Sequence, residues 1–424
     1  MDNSSSLYRI YIEKKNATIV FFLFLIFPFL TFLYSFLFLD KKWARIILLL
    51  FTILYGFNMT AGYDVGLDLY RYLLLLKDIQ NIPTSEFFNF LSGQYVILGS
   101  KEADIYRSLI AFIVSRFTDN GHVLMAVLAF VYGLLFYHCL NIFFKINSRL
   151  NFQTYSLLLC FAVSWGLSSL AFVRFPTASL LFFILCFKIF ENPSKKKYWI
   201  LLSLVLMIHF GLGLAVLLLI FFFLIENNKK VIYTLFIASI LIPNLLQLDS
   251  LSTYINVFPD SLQNRINLYT NESYIESTIE NKEKLSWFIA YIPTMIYIYT
   301  YSFIVVFLMN YNKLKIDLMT NRVYLFSILI LTAVNFTNEI PELGDRYIKV
   351  FLLFFTLFLY KIYTLNYKNI VIKNMINLSL LFFALIITYD FRNILYYTTP
   401  SLYIGNVFSV LSDESIMTVW KYLF

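Results

Sequence analysis

The feature that most constrains this chain is a set of unbroken apolar runs, about 20 residues each, recurring along nearly its whole length. Such a run crosses the roughly 30 Å hydrocarbon layer of a bilayer as an α-helix. Because the runs are continuous and not alternating, a β-barrel is excluded. Sixty per cent of the 424 residues are hydrophobic and only 14% are charged, more apolar surface than a water-soluble domain of this length can hide. The expected fold is an all-α polytopic integral membrane protein, one domain over residues 1–424, with no internal repeat or flexible linker.

The runs predict about 12 transmembrane helices, near 20–39, 43–59, 120–144, 154–170, 173–190, 198–209, 211–225, 231–246, 285–310, 322–337, 347–363 and 370–389. The first is followed by "DKKWAR" and not by a small-residue cleavage site, so it reads as a retained span and not as a signal peptide. The sixth and seventh lie within 28 continuous residues, Tyr198 to Ile225, long for one helix and short for two. A break at "HFGLG" is favoured by charge. With it, alternate short connections carry 17 basic residues against four acidic ones, leaving 16 basic and 21 acidic for the other side. Basic short loops mark the cytoplasmic face. Segments 60–119, 247–284, 338–346 and 390–424 then fall together on the outer face, as does the N-terminus despite Arg9, Lys14 and Lys15. The formal charge of +8 is a topology signal spread over loops, not a nucleic-acid surface. Cys139, Cys160 and Cys186 lie inside apolar runs with neither disulfide nor zinc spacing.

A membrane protein's function is sought where it holds polar groups it was free to avoid. In "AGYDVGLDLYRY", a helix beginning near Val65 lines up Asp64, Asp68 and Tyr72, with Arg71 three residues beyond Asp68 and an apolar stripe of Leu69, Leu73 and Leu76. This predicts an amphipathic helix at the outer interface. Asp64 as an N-cap and an Asp68–Arg71 pair explain the same residues without a site. A second amphipathic helix, in "KEADIYRSLIAFIVSRF", is expected to bury Ile105, Leu109, Phe112 and Ile113, with Glu102, Tyr106 and Arg107 turned elsewhere. Glu102 reads as a catalytic carboxylate or as a first-turn acid favouring the helix dipole. Arg174 opens the fifth span two residues before Pro176, and a helix N-terminus beside an arginine suits a phosphate. Snorkelling toward headgroups is the other reading. His209 sits at the break between two short helices, where irregular backbone is tolerated only if buried in protein or lining a cavity. Arg265 and Tyr269 in "SLQNRINLYTNES", and Glu339, Glu342, Asp345, Arg346 and Tyr347 in "NEIPELGDRY", complete the outer set. Acids, arginines and tyrosines gathered at one boundary suit a sugar on a phosphorylated lipid.

In order and spacing, these segments resemble the EpsG-type, Wzy-like polymerases of bacterial surface polysaccharides. "VGLDLYRY" is similar to that family's Gly-x-Asp-x-x-x-Tyr segment, through Gly66, Asp68 and Tyr72, and "EADIYRSL" to its Glu-containing stretch, through Glu102. "FVRFPTA" matches its arginine motif at Arg174, and "IHFGLG" its histidine turn at His209, where Gly replaces a Ser that commonly follows. "RINLY" and "DRY" resemble its later outer-loop positions. The resemblance implies a membrane glycosyltransferase of the bacterial inner membrane, with room for a GT-C-like architecture. It would extend O-antigen, capsule or exopolysaccharide at the periplasmic face from undecaprenyl-pyrophosphate-linked oligosaccharide units. Asp68, preferred because it shares a helix face with Tyr72, or Glu102 would act as base; Arg174, Arg265, Arg346 and the catalytic-site His209 would hold pyrophosphate, and Arg71, Tyr72, Asp345 and Tyr347 would bind substrate. No cofactor or metal is implied, and the partners would be the bilayer, a flippase and a chain-length regulator. The absence of a P-loop or of GxGxxG after a strand agrees with an energy source carried in the lipid pyrophosphate. A flippase or other transporter is the alternative, but no two comparable halves are present. An acyltransferase using His209 leaves the outer arginines without a role, and a polysaccharide ligase is the nearest relative in chemistry.

Overall fold

A computed structural model describes residues 17–60, 68–87, 89, 105–147, 150–242, 280, 287–337, 341–415 and 417–423, and these are predominantly helical. The N-terminal basic residues, Gly66, Glu102, Arg265, Tyr269 and Glu339 lie outside the described residues. Among the described residues there is no strand, only an isolated antiparallel bridge between Met59 and Thr398. The protein is an all-α multi-pass membrane protein.

The expected count of 12 spans is corrected. Among the described residues, six helices are long and apolar enough to cross a membrane: Gly121–Ile146, Phe152–Phe172, Thr294–Lys313, Leu318–Phe336, Leu343–Leu365 and Ile370–Tyr396. The other expected spans are helical but shorter, broken or more charged. The first divides into α1 (Ala17–Ile26) and α2 (Pro28–Phe36), because Pro28 has no N–H to continue the ladder. Next come α3 (Lys42–Asn58), α4 (Asp68–Gln80), α5 (Ile105–Ser115), α6 (Gly121–Ile146) and α7 (Phe152–Ser164), which continues as a 3-10 segment, Leu167–Phe172. Then follow α8 (Arg174–Glu191), α9 (Lys196–Ile208), α10 (Gly213–Ile225) and α11 (Lys229–Leu241). The last three have 13 residues each, about 20 Å at 1.5 Å per residue, short of a bilayer core. The first two match the short hairpin helices expected at 198–209 and 211–225, and leave the count because neither is long enough to cross alone. The chain proceeds through α12 (Trp287–Asn310), α13 (Leu318–Phe336), α14 (Pro341–Leu365) and α15 (Ile370–Tyr396) to three short helices, Ser401–Ile404, Val407–Leu411 and Val419–Leu423.

Polar contacts define two ends of this bundle. At one, the basic connections meet. Lys145 pairs with Glu191 at 2.6 Å, Arg322 grips Glu226 through two bonds of 2.9 and 3.1 Å and donates to the Phe190 carbonyl, and Lys361 meets Asp317 at 3.2 Å. The Glu226 contact brings the C-terminus of α10 back to the end where α9 began, so the two helices form a hairpin broken at His209. At the other end, Asn58 Nδ2 donates to Thr399 Oγ1 at 2.7 Å, the Thr399 N–H donates back to Asn58 Oδ1 at 3.0 Å, and His122 Nδ1 donates to the Phe57 carbonyl at 2.9 Å. Thr399 Oγ1 in turn donates to Asp413 Oδ2 at 2.6 Å, tying the C-terminal segment to α3. We call these the basic end and the tail end.

A second expectation is reversed. In α5 the buried residues are Tyr106, Arg107, Ser108, Ala111, Phe112, Val114 and Ser115, while Leu109 and Ile113 are exposed. Of the expected face only Phe112 is buried. A helix beside lipid turns its greasiest residues outward and its small and polar ones toward the protein, the opposite of a helix in water. In α4, Leu69 and Leu76 are buried as the stripe requires.

Candidate functional site

At the tail end, four stretches distant in sequence enclose a cavity of about 280 Å³. The 3-10 segment and the turn before it supply Trp165, Ser169 and Phe172; the first turn of α8 supplies Arg174, Phe175 and Pro176. The break between α9 and α10 supplies His209, and the first turns of α14 supply Asp345, Arg346 and Lys349.

Each stretch is held there for a physical reason. Phe161 and Val163 carbonyls receive the Trp165 and Gly166 N–H groups, and the Tyr132 hydroxyl, from α6, donates to the Trp165 carbonyl. Ser168 Oγ donates to Asp390 Oδ1 on α15 at 3.1 Å, fixing the segment from its far side. Pro176 sits within the first turn of α8, where its missing N–H costs no helical bond. The helix therefore starts at the cavity wall with its N-terminal dipole directed there. His209 is extended and caps α9 by donating its N–H to the Val205 carbonyl at 2.9 Å. Its ring meets the Phe175 ring edge-on at 5.8 Å. In α14, Asp345 and Lys349 are one turn apart, and Arg346 and Lys349 three residues apart, so all three project toward one side.

Arg174, His209 and Arg346 are half-buried while Asp345 and Lys349 are exposed. Two guanidiniums, an ammonium and an imidazole thus share the cavity with one lining carboxylate. This favours an anion with several oxygens, and Trp165, Phe172 and Phe175 offer rings on which an apolar or sugar face rests. Among the described residues no group of three or more His, Cys, Asp or Glu side chains comes together.

Of the residues singled out in the sequence, Arg174, His209, Asp345 and Arg346 are brought together. Tyr347 adjoins them but is 1% exposed, and its hydroxyl is bonded to the hairpin backbone. Tyr72 is fully buried beneath the Arg107 guanidinium, 5.1 Å from its ring centre, and does not line the cavity. Asp68 opens α4, and Arg71 lies in its first turn, but both side chains lie outside the described part. The helix itself packs on the 3-10 segment that walls the cavity. Glu102 and Arg265 cannot be placed, being outside the described residues.

Sequence reasoning missed Lys349, Trp165 and Ser169 in the lining, and Asp390 behind it. Lys349 was legible as the residue three beyond Arg346 in "DRYIKV". Asp390 was hidden because the apolar run ends just before it, whereas the helix continues to Tyr396. No protein-family model, curated protein or solved structure matches the chain.

Proposed function

We propose that this protein polymerises oligosaccharide repeat units carried on undecaprenyl pyrophosphate, with the tail end facing the periplasm and the basic end the cytoplasm of a bacterial inner membrane. The observation that carries this reading is the gathering of Arg174, Arg346, Lys349 and His209 in one aromatic-walled cavity at a single end of the bundle. Positive charge on the short connections of the opposite end supports the orientation.

The reaction breaks the bond between the sugar's anomeric carbon and the pyrophosphate oxygen. It forms a bond from that carbon to an acceptor hydroxyl of the next lipid-linked unit. The hydroxyl proton passes to a base, and the lipid pyrophosphate leaves with the bonding pair. Arg174, Arg346 and Lys349 stabilise the charge that grows on the departing pyrophosphate. Asp345 and His209, inside the cavity, are placed to accept the proton, and Asp68 on the adjoining helix is the candidate drawn from the family resemblance. An undecaprenyl chain would lie among the exposed apolar side chains, with the headgroup in the cavity.

Gel profiles of surface polysaccharide from a deletion strain test this reading. Single capped units are expected, with long chains restored by the intact protein. Polymer retained on its carrier would instead indicate a ligase, and loss of all outward units a flippase.

A further inference from the structure

The helical hairpin at the cavity is closed by a side chain from another helix. In a continuous α-helix the N–H of residue 215 would bond to the carbonyl of residue 211. Here the Ala215 N–H donates to the Tyr347 hydroxyl at 3.2 Å, and that hydroxyl donates to the Gly211 carbonyl at 2.8 Å. A phenol from α14 is inserted into one rung of the hairpin's ladder. Backbone groups released by a break at this depth need partners inside the protein, and Tyr347 supplies both.

The clamp acts on the residue against which His209 rests. A β-carbon added to Gly211 would lie 2.7 Å from His209 Nε2, so the imidazole occupies the space where a side chain would be. Tyr347 is also the immediate neighbour of Arg346, which lines the cavity with His209. One turn of α14 therefore carries both a cation of the site and the bond that fixes the turn bearing the imidazole.

We propose that Tyr347 is a positioning residue that sets the His209 imidazole against the cationic face of α14. This rests on the functional reading above for the chemistry that His209 performs, but not for the geometry. The hydroxyl itself takes no part in binding substrate, since both of its backbone bonds are made within the protein.

The chain has three histidines, His122, His138 and His209. Protein labelled with 13C-histidine in detergent therefore gives three ring signals, assignable with His209→Gln. Tyr347→Phe keeps the buried ring and removes only the hydroxyl. It is expected to shift or broaden the His209 signal while His122 and His138 stay in place. Turnover of lipid-linked units is expected to fall about 10- to 100-fold, the cost of a small misplacement, with KM within about twofold. In the His209→Gln background, Tyr347→Phe should cost nothing further, because the two act through one group. Gly211→Ala, which drives a methyl into the imidazole and leaves Tyr347 intact, should disturb the same signal and serves if Tyr347→Phe does not survive purification. An unmoved His209 signal in these variants, or an equal cost of Tyr347→Phe with and without His209, would overturn the proposal. Wild-type protein that forms no polymer would overturn the functional reading instead, and the ring signals would still decide the positioning claim.

Discussion

The two ends of the bundle use charge in opposite ways. At the basic end, cations close on carboxylates: Arg322 and Glu226 form a two-bond pair with side chains 13% and 21% exposed, and Lys361 meets Asp317. At the tail end, Arg174, Arg346, Lys349 and His209 line one cavity with a single carboxylate, Asp345. Closed pairs hold helices together, whereas several cations around one opening set up a field that attracts an anion. On the function proposed above, the charge at the basic end is structural and the charge at the tail end serves the substrate.

The comparison breaks most visibly at Arg174. Arg174→Ala is expected to reduce polymer formation about 100- to 1,000-fold, the usual cost of losing a group aimed at developing charge, at temperatures where the variant stays folded. Normal chain length from that variant would remove Arg174 from the site. Arg322→Ala should do the reverse, costing about 3 kcal/mol of stability because Glu226 is left in a partly buried position, while polymer length at permissive temperature stays near normal. Unfolding scans in detergent, beside the same gels, read both. Lys349→Ala should slow polymerisation about tenfold, the weight of one more exposed charge on the phosphate, and an unaffected rate would confine the site to the two arginines.

The smallest effect concerns acid. Burial raises the Asp413 carboxyl, but hydrogen bonds from Ser401, Thr399 and the Ser415 N–H, with His122 nearby, more than offset it and hold the group below its ordinary value of 3.8. A carboxyl depressed by folding stabilises the tail's attachment above about pH 4, and that contribution is lost as pH falls further. Protease cleavage of the C-terminal segment should therefore stay level down to about pH 4, the unfolded carboxylate range, and increase as the pH falls below it. Asp413→Asn should flatten the dependence.

Much of this architecture was legible because hydropathy reports burial in lipid directly. The break at His209 followed from loop charge, and the basic end from the positive-inside pattern. Arg174, His209, Asp345 and Arg346 stood out because each is a polar group at the edge of an apolar run. Span number was not legible, since 13-residue helices and longer ones share the same apolar composition. The buried face of α5 was misjudged because periodicity gives a stripe but not which solvent it faces. Arg107 is therefore buried where Ile113 was expected. The role of Tyr347 depended on a rung of backbone in a helix more than a hundred residues earlier, and no local pattern encodes that.

The central claim is that the cavity at the tail end transfers glycan from a lipid pyrophosphate. Purified protein in liposomes, supplied with undecaprenyl-pyrophosphate-linked repeat units, tests it most directly. A ladder of products is predicted, with one undecaprenyl pyrophosphate released for each bond formed, and Arg174→Ala should abolish both together. Units that stay single with the intact protein, or a ladder that persists undiminished without Arg174, would contradict the account.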